Sequence, residues 1–200
     1  MHIANLTFLG SNELDSLIAL GVLNPIKKPD WRVSICCPTP EVTSMNGVTI
    51  RAQSLLEEAR SADAVVVGSG VKTREVVASP ELMGRLSLDP ARQLIAAQCS
   101  GTLVLAKLGL VEGVPACTDL TTKPWVQEAG VEVLNQPFFA RGNVATAGGC
   151  FASPYLAGWI IARTEGIEAT EGALRYVAPG GGEEGHRANT EKNIKPYLPQ

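Results

Sequence analysis

The chain has 200 residues, 45% of them hydrophobic and 18% charged, with a formal net charge of −3. That length suits one domain with a sizeable buried core. The slight acidity and the lack of any densely basic stretch exclude a nucleic-acid partner held by phosphate neutralisation.

In chain order, His2–Leu9 reads as a strand and Glu13–Leu23 as a helix. Trp31–Cys37 is the next strand, and Val48–Ile50 a short strand in a small insertion. A helix is expected over Ser54–Ala59, before the buried β-branched strand Ala64–Val67. Ser79-Pro80 opens a helix through Leu88, with Ser79 as its N-cap. Leu94–Ala97 is a short central strand, followed from Gly101 to Leu110 by an apolar helix. Ala116–Thr118, Val131–Leu134 and Val144–Ala147 read as short strands, and Tyr155–Thr164 as an apolar helix. Strands separated by helices of this length imply βαβ units and a doubly wound, mostly parallel α/β sheet with helices on both faces. Residues 1–180 are expected to form one domain, with 181–200 a polar C-terminal tail and Gly180–Gly182 a flexible joint.

The opening MHIANLTFLG lacks the basic lead and apolar length of a signal peptide. The longest uncharged segment, 144–162, carries Gly148, Gly149, Ser153 and Pro154, which suit a loop and a helix start better than a membrane span. A cytoplasmic protein with no membrane contact is expected. Five cysteines, with Cys36 and Cys37 adjacent, argue for reduced thiols. No C-x-x-C pair occurs and the histidines are His2 and His186, so no zinc site is expected, nor any other metal or cofactor.

Cys99 falls in the turn between the central strand and its helix, with the small residues Ala97 and Gly101 two positions to either side. That spacing suits a nucleophile elbow, a tight strand-to-helix turn that projects a side chain from the sheet edge. Unpaired N–H groups at a helix start lower a neighbouring thiol pKa, so a reactive thiolate is expected. The competing reading is a cysteine packed as a small hydrophobe. Cys117 and Cys150 are read as core thiols near the crevice, Cys36 and Cys37 as packing, and Trp125 and Trp159 as core or interface anchors.

Residues 96–118 (AAQCSGTLVLAKLGLVEGVPACT), NVATAGG at 143–149, GSNELDSLIALGVL at 10–23 and VVVGSG at 65–70 occur in one order. In these blocks the chain resembles the ThiJ/PfpI superfamily, which has the flavodoxin-like fold of class I glutamine amidotransferases. Its look is nearest to isocyanide hydratase-like members and AraC-type sensor domains. The resemblance implies that Asp15, after the first strand, pairs with Cys99. Glu13 is its near neighbour, and the alternative for Asp15 is a helix-start acid favoured by the dipole. It further implies that backbone N–H groups of Gly70 and Ser100 form an anion-stabilising pocket facing Cys99, although Gly68-Ser69 departs from the family's usual Pro-Gly. Glu13, Ser69, Thr118, Asp119 and Cys150 are the further candidates for lining that pocket. Many relatives carry a histidine where Thr118-Asp119-Leu120 stands, so a Cys–His–acid triad, and with it peptidase or glutaminase activity, is not supported. Relatives commonly form homodimers, which is the expected assembly.

A thiol and a carboxyl in contact disfavour each other's ionisation and titrate as one coupled unit. If helix N–H groups favour the thiolate, the shared proton rests on Asp15. Such a dyad suits addition of water to a small electrophile, an isocyanide or a glyoxal, in hydrolase or lyase fashion. The competing function is a redox or stress sensor, or a ligand-binding module, with an oxidisable elbow cysteine.

Overall fold

The computed structural model describes residues 1–199. Strand β1 (His2–Leu6) leads through helix α1 (Glu13–Leu23) to β2 (Arg32–Cys37). A ribbon of β3 (Glu41–Thr43) and β4 (Thr49–Arg51) follows, then the edge strand β5 (Ser54–Leu55). Strand β6 (Ala64–Val67) precedes the short helices α2 (Thr73–Ala78) and α3 (Pro80–Gly84). Next come β7 (Leu94–Gln98), α4 (Gly101–Lys107) and α5 (Lys123–Glu128). The hairpin β8 (Phe138–Arg141) and β9 (Val144–Ala147) is followed by helices α6 (Ser153–Glu165), α7 (Ile167–Arg175) and α8 (Glu183–Ile194).

Seven strands form one sheet in the order β5-β2-β1-β6-β7-β9-β8, parallel except where β8 meets β9. The parallel strands β2-β1-β6-β7-β9 stand in the flavodoxin-like order 2-1-3-4-5. Strand residues alternate between two cores. Ile3, Ala64, Val66 and Ala96 face Leu156, Trp159 and Ile160 of α6, while Leu6, Val65, Val67 and Ile95 face Leu103 and Val104 of α4. Helices therefore cover both faces, and the crevice lies beyond the carboxyl ends of β1, β6 and β7.

Several expected elements differ. The helix over Ser54–Ala59 is strand β5 followed by a 3₁₀ turn, Leu56–Arg60. Pairing of Ser54 with Cys36 and Leu55 with Cys37 takes its first residues, and the carbonyls of Ala59 and Ala62 are held by Gln93. The strands expected at Ala116–Thr118 and Val131–Leu134 meet only at one bridge, Ala116 to Val133. The helix after Cys99 ends at Lys107, before Gly109 turns the chain with φ of 75°. Much of the segment read as a polar tail is helix α8, whose Thr190 and Ile194 are buried against Gly158 of α6.

Ser79 caps α3 as its spacing predicts, its hydroxyl accepting from the Leu82 N–H at 3.3 Å. Ser79→Ala is expected to destabilise the fold by about 1 kcal/mol, seen as a lower denaturant midpoint with an unchanged slope.

Candidate active site

Strand β7 ends at Gln98 and helix α4 starts at Gly101, so the chain must turn over Cys99 and Ser100. Cys99 has φ of 48°, the only positive φ at a non-glycine residue among the described residues. An L-residue in that region costs about 1–2 kcal/mol, so its surroundings must impose it. The Cys99 N–H donates to the Ala147 carbonyl at 2.8 Å, and the Thr118 hydroxyl donates to the Cys99 carbonyl at 2.7 Å. Gly101 completes the turn, because a Cβ there would lie 2.4 Å from the Val67 carbonyl oxygen.

Asp15 comes from the first turn of α1, which Asn12 caps by accepting from the Leu14 N–H. Its carboxylate accepts from the Ser69 hydroxyl at 2.7 Å and lies close enough to the Cys99 thiol to feel it, while its other oxygen is buried without a protein partner. Glu13, two residues earlier, is turned instead toward the β3–β4 ribbon, where Asn46 donates to it at 2.8 Å. Of the two acids, Asp15 is the one that lies beside Cys99.

Burial sets the electrostatics of the pair. Asp15 is 1% exposed, and desolvation pushes its carboxyl from 3.8 up to about 6, against the pull of Ser69 and the thiol. Desolvation also pushes the Cys99 thiol far up, and the Asp15 charge adds to the push. The side-chain amide of Gln98, 3.3 Å from the sulfur, and the Gly149 N–H pull the other way. The lowered thiol expected from the helix start is therefore overturned by burial. Burial thus disfavours the charged form of both groups.

A cavity of about 280 Å³ opens onto Cys99. Of the expected residues, Ser69, Gly70, Ser100, Asp119 and Cys150 line it. Thr118 supports the elbow from behind, and Glu13 points elsewhere. The Gly70 N–H, expected to receive negative charge, already donates to the Ser100 hydroxyl at 3.0 Å. The Ser100 N–H, by contrast, has no hydrogen-bond partner among the described residues. Gly70 must be glycine for a different reason, since a Cβ would lie 2.5 Å from the Gly10 carbonyl oxygen.

Sequence reasoning missed several residues of the site, among them Val71, Thr121 and Thr122 of the cavity wall. Asn12 donates to the Cys150 sulfur at 3.1 Å. Met45, from the ribbon, and Trp125, read as an anchor, both line the cavity, with Arg74 stacked 5.6 Å from the Trp125 ring. Gln98, whose polarity at the end of an apolar strand already suits a functional turn, touches the sulfur itself. Neither histidine belongs to the site: His2 meets Ser34 and Glu58, and His186 lies on α8. No cluster of three or more His, Cys, Asp or Glu able to hold a metal occurs among the described residues. No helix among them is long and apolar enough to cross a membrane.

The fold is a doubly wound α/β sheet whose central strand turns sharply over Cys99 into a helix, with a buried carboxyl nearby. The chain belongs to the DJ-1/PfpI family, whose profile matches residues 1–163. A ThiJ/PfpI family protein from Pseudomonas syringae is 18% identical, with a TM-score of 0.79 over 97% of this chain and 87% of that one. A DJ-1 superfamily protein from Salmonella typhimurium, solved with a cysteine replaced by alanine, is 22% identical, with a TM-score of 0.74 over 88% and 97%. Schizosaccharomyces pombe DJ-1 is 13% identical, with a TM-score of 0.75 over 90% and 100%. At such identities the likeness speaks for the fold. A search of curated proteins finds no match.

Proposed function

We propose that this protein is a cysteine-dependent enzyme that adds water to a small electrophilic carbon, with an isocyanide as its first candidate substrate and a glyoxal as its second. The observation that carries this reading is the buried Asp15 carboxylate against the Cys99 thiol, with no histidine in the site. With the carboxyl near 6, Asp15 is ionised at neutral pH and accepts the thiol proton as sulfur attacks. For an isocyanide, the S–C bond forms and Asp15 passes the proton to the same carbon, leaving a thioimidate. Water then adds to that carbon, the S–C bond breaks, the proton returns to sulfur, and an N-substituted formamide departs. The free Ser100 N–H supports charge that develops near the sulfur. The cavity, about 280 Å³, suits a small molecule.

The test is a panel of alkyl and aryl isocyanides and of glyoxals, followed by NMR for formamide or hydroxyacid. Turnover of one class supports the reading. No turnover together with selective oxidation of Cys99 by dilute peroxide would replace it with the sensor reading. That second reading is favoured by Cys150, a further thiol on the same cavity wall, and a relative, Toxoplasma gondii DJ-1, has been solved in an oxidised form. The exposed apolar residues Leu14 and Leu17 of α1, with Met45 and Val48 of the ribbon, suit a homodimer contact. Five unpaired cysteines suit a reducing compartment such as the cytoplasm.

A further inference from the structure

We propose that Gln98 is the group that stabilises negative charge on the Cys99 sulfur, in the role a histidine plays in cysteine–histidine sites. The proposal rests on reading Cys99 as the nucleophile and adds a residue to that site. Gln98 closes strand β7 and is 2% exposed. A long polar side chain in that position needs a reason, since the preceding strand residues Ile95, Ala96 and Ala97 are all apolar and buried.

Its amide nitrogen lies 3.3 Å from the Cys99 sulfur and 2.8 Å from the Gly149 carbonyl oxygen. The carbonyl fixes which end of the amide faces the sulfur. Gly149 oxygen only accepts, so the group against it must be the NH₂, whose second hydrogen is then left for sulfur. A flipped amide would set two acceptors face to face. The orientation is kept even though the amide oxygen is buried with no protein partner, which is an unfavourable arrangement unless the nitrogen's contacts matter more.

The charges around the sulfur make this donor count. Asp15 from α1 and Asp119 from the loop before α5 both oppose a thiolate, and no basic side chain lines the cavity. Against them stand Gln98 and the backbone N–H of Gly149. Gln98 also holds the Gly149 carbonyl and so keeps that peptide in place. A bond from N–H to sulfur strengthens as sulfur becomes anionic, so Gln98 favours the attacking state over the resting one.

The experiment is alkylation of Cys99 by iodoacetamide across pH, followed by mass spectrometry. Tryptic cleavage after Arg92 and Lys107 yields a peptide that carries Cys99 alone, so other thiols do not interfere. Gln98→Met keeps length and removes the donor. The pH needed to reach a given alkylation rate is expected to rise by about one unit, a tenfold loss of rate at fixed pH. Thiolate absorbance, measured against Cys99→Ala, should move by the same amount and is indifferent to reagent access. Should Gln98→Met fail to fold, Gln98→Glu decides: its carboxylate adds charge beside the sulfur and should shift both curves upward further. Unchanged curves in either folded variant would overturn the assignment. Alkylation requires no turnover, so that failure is distinct from the failure of the hydration reading, which would leave the Gln98 effect intact on an inert thiol.

Discussion

Cys99→Ala is expected to reduce turnover by a factor on the order of 10³ or more, because the covalent step runs through the Cys99 sulfur. The loss should fall on kcat, since the remaining cavity wall is unchanged. The fold is expected to persist. The alanine keeps the N–H bond to Ala147 and the carbonyl bond from Thr118, both of which belong to the backbone of residue 99. It also keeps the φ of 48° and its strain. Glycine at the same position is equally inactive and relieves that strain, so Cys99→Gly should be more stable than Cys99→Ala by about 1 kcal/mol. Measured kcat and denaturant midpoints for the two variants check both statements. Substantial activity in either would remove sulfur from the chemistry. A glycine variant less stable than the alanine would mean that the turn at residue 99 is not held at positive φ.

Periodicity and turn chemistry made the central strands and the elbow legible. Ala64–Val67 is apolar without alternation because both of its faces are covered by helices, which is how a buried parallel strand reads. The elbow was visible because small residues flank Cys99, and Gly101 is now seen to be required by the close Val67 carbonyl. The β8–β9 hairpin was also legible and overlooked: Phe138–Arg141 and Val144–Ala147 flank Gly142-Asn143, a two-residue turn with Gly142 at φ of 60°. Helices α2 and α5 run for only six residues each, too short for a period to show. Helix α8 buries few side chains, so its composition reads as solvated tail even though Thr190 and Ile194 anchor it. Within the site, Cys99 was singled out by the spacing around the turn and Asp15 by the family resemblance, and neither speaks to their protonation. Local helix polarity pointed toward a thiolate, whereas burial, which depends on the whole fold, raises both groups.

That burial gives Asp15→Asn opposite effects on stability and activity. A carboxyl with a raised folded pKa binds its proton more tightly folded than unfolded, so its contribution to stability is lost as pH rises. Below about 4 both states are protonated and Asp15 costs nothing; between 3.8 and about 6 the unfolded chain ionises first, and above that the penalty is complete. A shift of about two units corresponds to about 3 kcal/mol. Asp15→Asn keeps an acceptor for Ser69 and carries no charge, so at pH 7 it should be more stable than the parent by up to about 3 kcal/mol, a difference that vanishes near pH 4. Urea unfolding at several pH values reads this directly, and a pH-independent difference would mean that Asp15 is not the strained ionised group. The same variant removes the charge that opposes the Cys99 thiolate, so alkylation of Cys99 should speed up while turnover falls. Faster alkylation with slower turnover is possible only if the carboxylate acts as a proton carrier in the reaction and not as a means of ionising the thiol at rest.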